Sequence, residues 1–72
     1  MAQLTVAQYD ALEKAIRDGQ RIAVRRRGTE FLVIPLRLGL RNRREVIEAL
    51  HPTTGQPLSL LVEEADSIEV LR

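Results

Sequence analysis

The sequence predicts a mainly β domain with one N-terminal α-helix, its five antiparallel strands curled into a small barrel. Three observations carry that prediction. The segment from Leu4 to Asp18 has capped ends and helical periodicity. At Gly19 the apolar repeat changes from about 3.6 residues to 2. Beyond it, short apolar runs alternate with turn signals at the spacing of an all-β domain, without βαβ units.

The helix is justified at both edges. Thr5 and Gln8 have the spacing of a capping box, in which hydroxyl and amide side chains each satisfy an orphan backbone N–H. Leu4 and Tyr9 stand at the positions of a hydrophobic staple. Val6, Tyr9, Leu12 and Ile16 recur at spacings of three and four and form one narrow apolar stripe. Glu13 and Arg17 can pair on the opposite side. Gly19 offers a left-handed C-terminal cap, so the helix is expected over about residues 6–18.

Strands are expected over about residues 21–26, 29–38, 44–50, 58–62 and 67–71 of a single domain spanning residues 1–72. Ile22 and Val24 face inward from the first strand, and Arg27-Gly28-Thr29 turns the chain. The second strand is apolar on both faces at its start. Its Pro35 cannot donate to a ladder and belongs at an edge, a bulge or a bend. Gly39-Leu40-Arg41-Asn42 reads as the next loop. On the third strand Val46, Glu48 and Leu50 share one side, Ile47 and Ala49 the other. The stretch from His51 to Pro57 is a turn by composition, and Glu63-Glu64-Ala65-Asp66 a single short turn, of 3₁₀ type, before the last strand. The expected core is Leu12, Ile16, Ile22, Val24, Phe31, Val33, Ile47, Leu60, Val62, Ile68 and Val70.

Composition bounds the function. The chain has 72 residues, 44% of them apolar, and no Cys, so neither a disulfide nor a thiolate metal site can supplement a small core. The longest apolar run, Phe31 to Leu36, is far short of the roughly 20 residues that cross a bilayer. No basic segment and apolar stretch follow Met1 in the manner of a secretory signal. A soluble cytoplasmic protein with no membrane partner is the expectation.

The net charge of +1 decides nothing, but its distribution does. Eight arginines lie between Arg21 and Arg44 against the single acid Glu30, whereas residues 45–72 hold six acids and one base. The codon usage of a GC-rich genome accounts for the preference for Arg over Lys. The charge asymmetry along the chain is a separate matter. Arg25, Arg26 and Arg27 end one strand, and Arg41, Arg43 and Arg44 surround a later loop. If those loops converge at one end of a barrel, they form a nucleic-acid-binding candidate, because guanidinium donates two parallel hydrogen bonds to a phosphate. Against this, the chain has only Phe31 and Tyr9 as stacking platforms, and the core pattern claims both.

Other chemistry finds no footing. Adjacent carboxylates at Glu63, Glu64 and Asp66 lack the glycine and oxygen-ligand spacing of a cation loop and read as a solvated turn. A basic edge on one copy meeting this acidic edge on another is a route to rings. His51, the sole histidine, is expected to hydrogen-bond the backbone of its own turn. Ser59 and Ser67 have no partner base, and Gly28, Gly39 and Gly55 are isolated turn glycines without a phosphate-loop pattern. No catalytic residue, cofactor site or metal site is expected, and the protein does not read as an enzyme.

The order of helix, bent Pro-containing strand, hairpin and short turn-plus-strand resembles the Sm-like and SH3-like small barrels. Within these, Arg21 to Val70 is similar to the WYL domain of bacterial regulators, through Pro35-Leu36-Arg37-Leu38, the Glu45-Val46-Ile47 strand and Leu60 to Val70. The aromatic pair that names the domain falls on Glu45 and Val46, and its basic ligand-reading positions on Leu61 and Glu64. The domain's nucleotide recognition therefore does not carry over to those residues. Tyr9-Asp10-Ala11-Leu12-Glu13-Lys14-Ala15 also resembles the leading helix of the Rho-binding antitermination proteins, which implies Rho as a partner. The residues as a whole point to a non-catalytic binding module. Its expected partner is a protein surface, its own copies included, reached through the barrel edge, with a nucleic-acid backbone at the arginine-rich loops as the alternative.

Overall fold

The computed structural model describes residues 4–71. Its first element, helix α1 (Val6–Asp18), is set by its two ends. The Gln8 N–H donates to Thr5 Oγ1 at 3.1 Å, and the Thr5 N–H donates to Gln8 Oε1 at 2.8 Å. At the other end Gly19 adopts a left-handed φ of 70°, and its N–H reaches the Ala15 carbonyl. Leu12 and Ala15 are fully buried, with Leu4 and Ile16 packed beside the core. Val6, expected on the same stripe, is instead 78% exposed. The helix turns on Ala15, and at about 100° per residue a position nine residues away lies on the opposite side.

Five strands follow: β1 (Ile22–Arg26), β2 (Thr29–Arg41), β3 (Arg44–Leu50), β4 (Pro57–Leu61) and β5 (Ser67–Val70), with a 3₁₀ turn, η1 (Val62–Glu64), between the last two. All pairings are antiparallel and the order across the sheet is β4-β3-β2-β1-β5. The first part of β2 pairs with β1 and the second with β3, so one strand serves both halves of a barrel-like fold. The change of direction falls where Pro35 predicts it. Pro35 opposes Ala49 and Arg37 opposes Glu48, leaving Leu36 as the extra residue of a bulge. No ladder joins β4 to β5 among the described residues; η1 runs across that opening.

The loop expected at Gly39-Leu40-Arg41-Asn42 is a correction. The ladder continues through Gly39, Leu40 and Arg41, and only Asn42 and Arg43 turn, with φ of 53° and 65°. Glycine and polar residues imitate a loop in sequence, but a two-residue hairpin with both central φ values positive needs no more room. The β1–β2 hairpin has the same form, with Arg27 at φ 50° and Gly28 at 79°. The fourth strand begins at Pro57 and gives way to η1 at Val62, which stays buried.

The core gathers Leu12, Ile22, Val24, Val33, Ile47, Leu60 and Val62, with Ile16, Phe31, Ile68 and Val70 half-buried around it. Ala15, Ala49 and Ala65 complete it where the helix, β3 and η1 approach closely. On β3 both Val46 and Ile47 are buried, so that strand is covered on two sides at this point. Tyr9 ties the helix to the sheet: its hydroxyl donates to Glu45 Oε1. That hydrogen bond, helped by desolvation and by the carboxylate charge, holds the Tyr9 phenol above its usual pKa range.

Candidate anion-binding groove

The β2–β3 hairpin sets two arginines face to face. Arg41 and Arg44 are directly opposed in the ladder, flanking the Asn42-Arg43 turn. With Asn42, Val46, Ser59 and Leu61 they line a groove of about 510 Å³. Strand alternation explains the grouping. Arg44, Val46 and Glu48 point to one face of β3, and the ladder sets Leu61 opposite Val46 and Ser59 opposite Glu48. The groove therefore has an apolar floor from Val46 and Leu61 beneath a guanidinium rim.

Two carboxylates organise that rim. Glu48 reaches Arg37 on one side and lies 3.9 Å from Arg41 on the other. Gly39 permits this path: a Cβ there would stand 3.3 Å from Glu48 Oε2. Glu63 of η1 forms an ion pair with Arg44, its Oε1 lying 3.2 Å from Nε. Arg43, at the tip, has no carboxylate within salt-bridge distance among the described residues.

The other arginines of the sequence candidate divide. Arg25 pairs across the ladder with Glu30 at 3.8 Å. Arg26 lies over the Phe31 ring, 5.1 Å from its centroid, and reaches Glu64 at 3.3 Å. The Arg27 backbone N–H donates to Asp66. Arg26 and Arg27 line a second, smaller groove of about 300 Å³ with Thr29, Phe31 and Glu64. Strand alternation thus separates Arg25 from Arg26. Adjacent residues of η1, Glu63 and Glu64, reach one into each hairpin.

Much of the sequence dipole is consumed internally. Acids from the last third of the chain pair with arginines from its middle: Arg26 with Glu64, Arg44 with Glu63, and Arg37 and Arg41 with Glu48. Sequence reasoning missed Asn42, Val46, Ser59 and Leu61 as groove residues, along with the roles of Arg37, Glu48 and Glu63. Part of the signal was the WYL likeness: of its aromatic and ligand-reading positions, Val46 and Leu61 line this groove and Glu64 the second, whereas Glu45 binds Tyr9. His51 meets its expectation: Nδ1 accepts the N–H groups of Thr53 and Thr54, each at 3.2 Å. Among the described residues no helix is long and apolar enough to cross a membrane.

No family model matches the chain, and no curated protein matches it either. Among solved structures it is similar to proteasome accessory factor B/C of Arthrobacter aurescens, with a TM-score of 0.73 and 25% sequence identity. The similarity covers 96% of this chain and 12% of that one, so the chain spans about an eighth of the length of the protein it matches. This likeness supports the resemblance to the WYL domain.

Proposed function

We propose that the protein is a WYL-like, non-catalytic binding module that takes a phosphate-bearing ligand, a nucleic-acid backbone above all, in the groove of the β2–β3 hairpin. The observation that carries this reading is the opposed pair Arg41 and Arg44 over the Val46–Leu61 floor. Like charges set directly opposite in a ladder are unfavourable. A left-handed arginine beside them, Arg43, adds a second local cost. Both costs fall in one hairpin, and the opposed pair places two guanidinium groups around the groove, where an oxyanion between the forks would relieve the repulsion. The likeness to a segment of a longer proteasome accessory factor is in keeping with a recognition module rather than a self-standing enzyme.

The test is an NMR titration of the protein with a thymidine hexanucleotide at low salt. Amide shifts confined to the Arg41–Val46 hairpin and the Ser59–Leu61 segment are expected. Absence of shifts, or shifts spread over the helix face, contradicts the reading.

A second reading rests on a different observation. The outer edges of β4 and β5 have no ladder neighbour among the described residues, and free edges are templates for pairing with another chain. Contact with a protein, or with a second copy, would use them. Light scattering across a concentration series tests self-association, and a strict monomer throughout removes it.

A further inference from the structure

The η1 turn sets a carboxylate against one of the groove's arginines. Glu63 sits on Arg44 Nε at 3.2 Å, with the arginine side chain 63% exposed and the glutamate 41%. Neighbouring positions of the turn already serve the fold: Val62 and Ala65 are buried in the core, and Glu64 and Asp66 hold the other hairpin. Of the turn's acids, Glu63 is the one paired with a groove arginine. An anion arriving there meets an arginine whose Nε already faces a carboxylate.

We propose that Glu63 is a built-in competitor for the groove, a carboxylate that stands on Arg44 in the ligand's place and must be displaced when the ligand binds. The inference rests on the reading of the groove as a phosphate site and adds its regulation. Guanidinium binds both groups by charge-assisted hydrogen bonds. A carboxylate ligand would therefore only exchange like for like at Arg44. A backbone phosphodiester is singly charged as well, and a strand gains from the exchange because its neighbouring phosphates meet Arg41 and Arg43 at the same time. Glu63 thus sets a threshold that weak anions fail to cross, and it keeps Arg44 oriented while the groove is empty.

The experiment measures binding of a fluorescently labelled thymidine hexanucleotide by the full chain, E63Q, E69Q, R44A and the R44A/E63Q double variant. E69Q is the charge control. Glu69 is exposed on β5, so its neutralisation changes net charge by the same amount without touching Arg44. E63Q is expected to tighten binding by up to about fivefold, the worth of an exposed ion pair, and E69Q by distinctly less. In the R44A background E63Q should change nothing. A gain in E63Q no larger than in E69Q, or one that persists without Arg44, overturns the competitor role while leaving the groove intact. Binding by none of the five proteins, E63Q included, overturns the groove reading and the competitor together. A thermal melting midpoint of E63Q matching that of the parent shows that the effect does not come from misfolding.

Discussion

The two arginine hairpins share a geometry and divide in chemistry. Each turns in two residues with both φ values positive, the form that favours Asn followed by Gly. The β1–β2 turn keeps the Gly and puts Arg27 first; the β2–β3 turn keeps the Asn and puts Arg43 second. Each therefore holds one arginine in the left-handed region. Around the first hairpin Arg25 pairs with Glu30 and Arg26 with Glu64 and the Phe31 ring, while Arg27 reaches Asp66 through its backbone N–H alone. Around the second, Arg41 and Arg44 oppose each other across the ladder, each beside one carboxylate, Glu48 at 3.9 Å and Glu63 at 3.2 Å, and Arg43 has no carboxylate within salt-bridge distance among the described residues. The first hairpin spends its arginines on structure. The second gathers two of them over one groove, and the proposed ligand site rests on that difference.

The largest expected effect is on binding. R41A/R44A should weaken hexanucleotide binding by roughly tenfold per arginine, the scale of one hydrogen bond to a charged group. Its folding stability should hold or rise, since an opposed like-charge pair is removed; a large loss of stability would make these arginines structural and erase the contrast. Arg26→Ala should show the reverse, costing about 1 kcal/mol of stability through the lost ring contact and part-exposed ion pair, as read in urea melts. Its binding should be little changed.

Arg43→Gly sharpens the comparison from the other side. Relief of the left-handed strain should stabilise the protein by about 1 kcal/mol, with slightly weaker anion binding. Arg27→Asn should gain only a few tenths, about 0.5 kcal/mol, because Asn still bears part of the steric cost of that conformation. Equal gains at the two turns would show that the loops differ less than their ion pairs imply.

The smallest effect concerns a residue outside both hairpins. The raised pKa of Tyr9 means its protonated hydroxyl favours the folded state. That contribution is complete below the ordinary tyrosine range near about 10 and is lost as pH rises through the folded value. Tyr9→Phe should cost about 1 kcal/mol at neutral pH. It should also flatten the alkaline limb of the stability profile, measured by urea melts between neutral and strongly basic pH.

What was legible in the sequence is local. The Thr5–Gln8 box, the Gly19 cap and the Pro35 bulge each follow from what one residue does to its own backbone. The large β-branched and aliphatic core positions followed from periodicity. Alanines did not, because Ala15, Ala49 and Ala65 carry too little apolar signal to be told from surface residues, although close packing buries them. Val6 failed for the complementary reason: a stripe drawn through large residues ignores the pull of a buried alanine on the helix's rotation. The hairpin at Asn42-Arg43 was hidden because Arg in a left-handed turn position runs against turn chemistry. As for the groove, its arginines were visible in composition, but their division was not. Arg26 and Glu64 are separated by 38 positions and meet only through the fold, and no local pattern announces such a pairing.

The most direct measurement compares salt dependence in two double variants, one for each hairpin. Hexanucleotide affinity is followed against ionic strength for the parent, R41A/R44A and R25A/R27A. The account predicts that R41A/R44A flattens the logarithmic salt slope by about 1.4, two phosphate contacts at about 0.7 each, while R25A/R27A leaves it near the parent value. Equal flattening in both variants, or flattening in R25A/R27A alone, would contradict it.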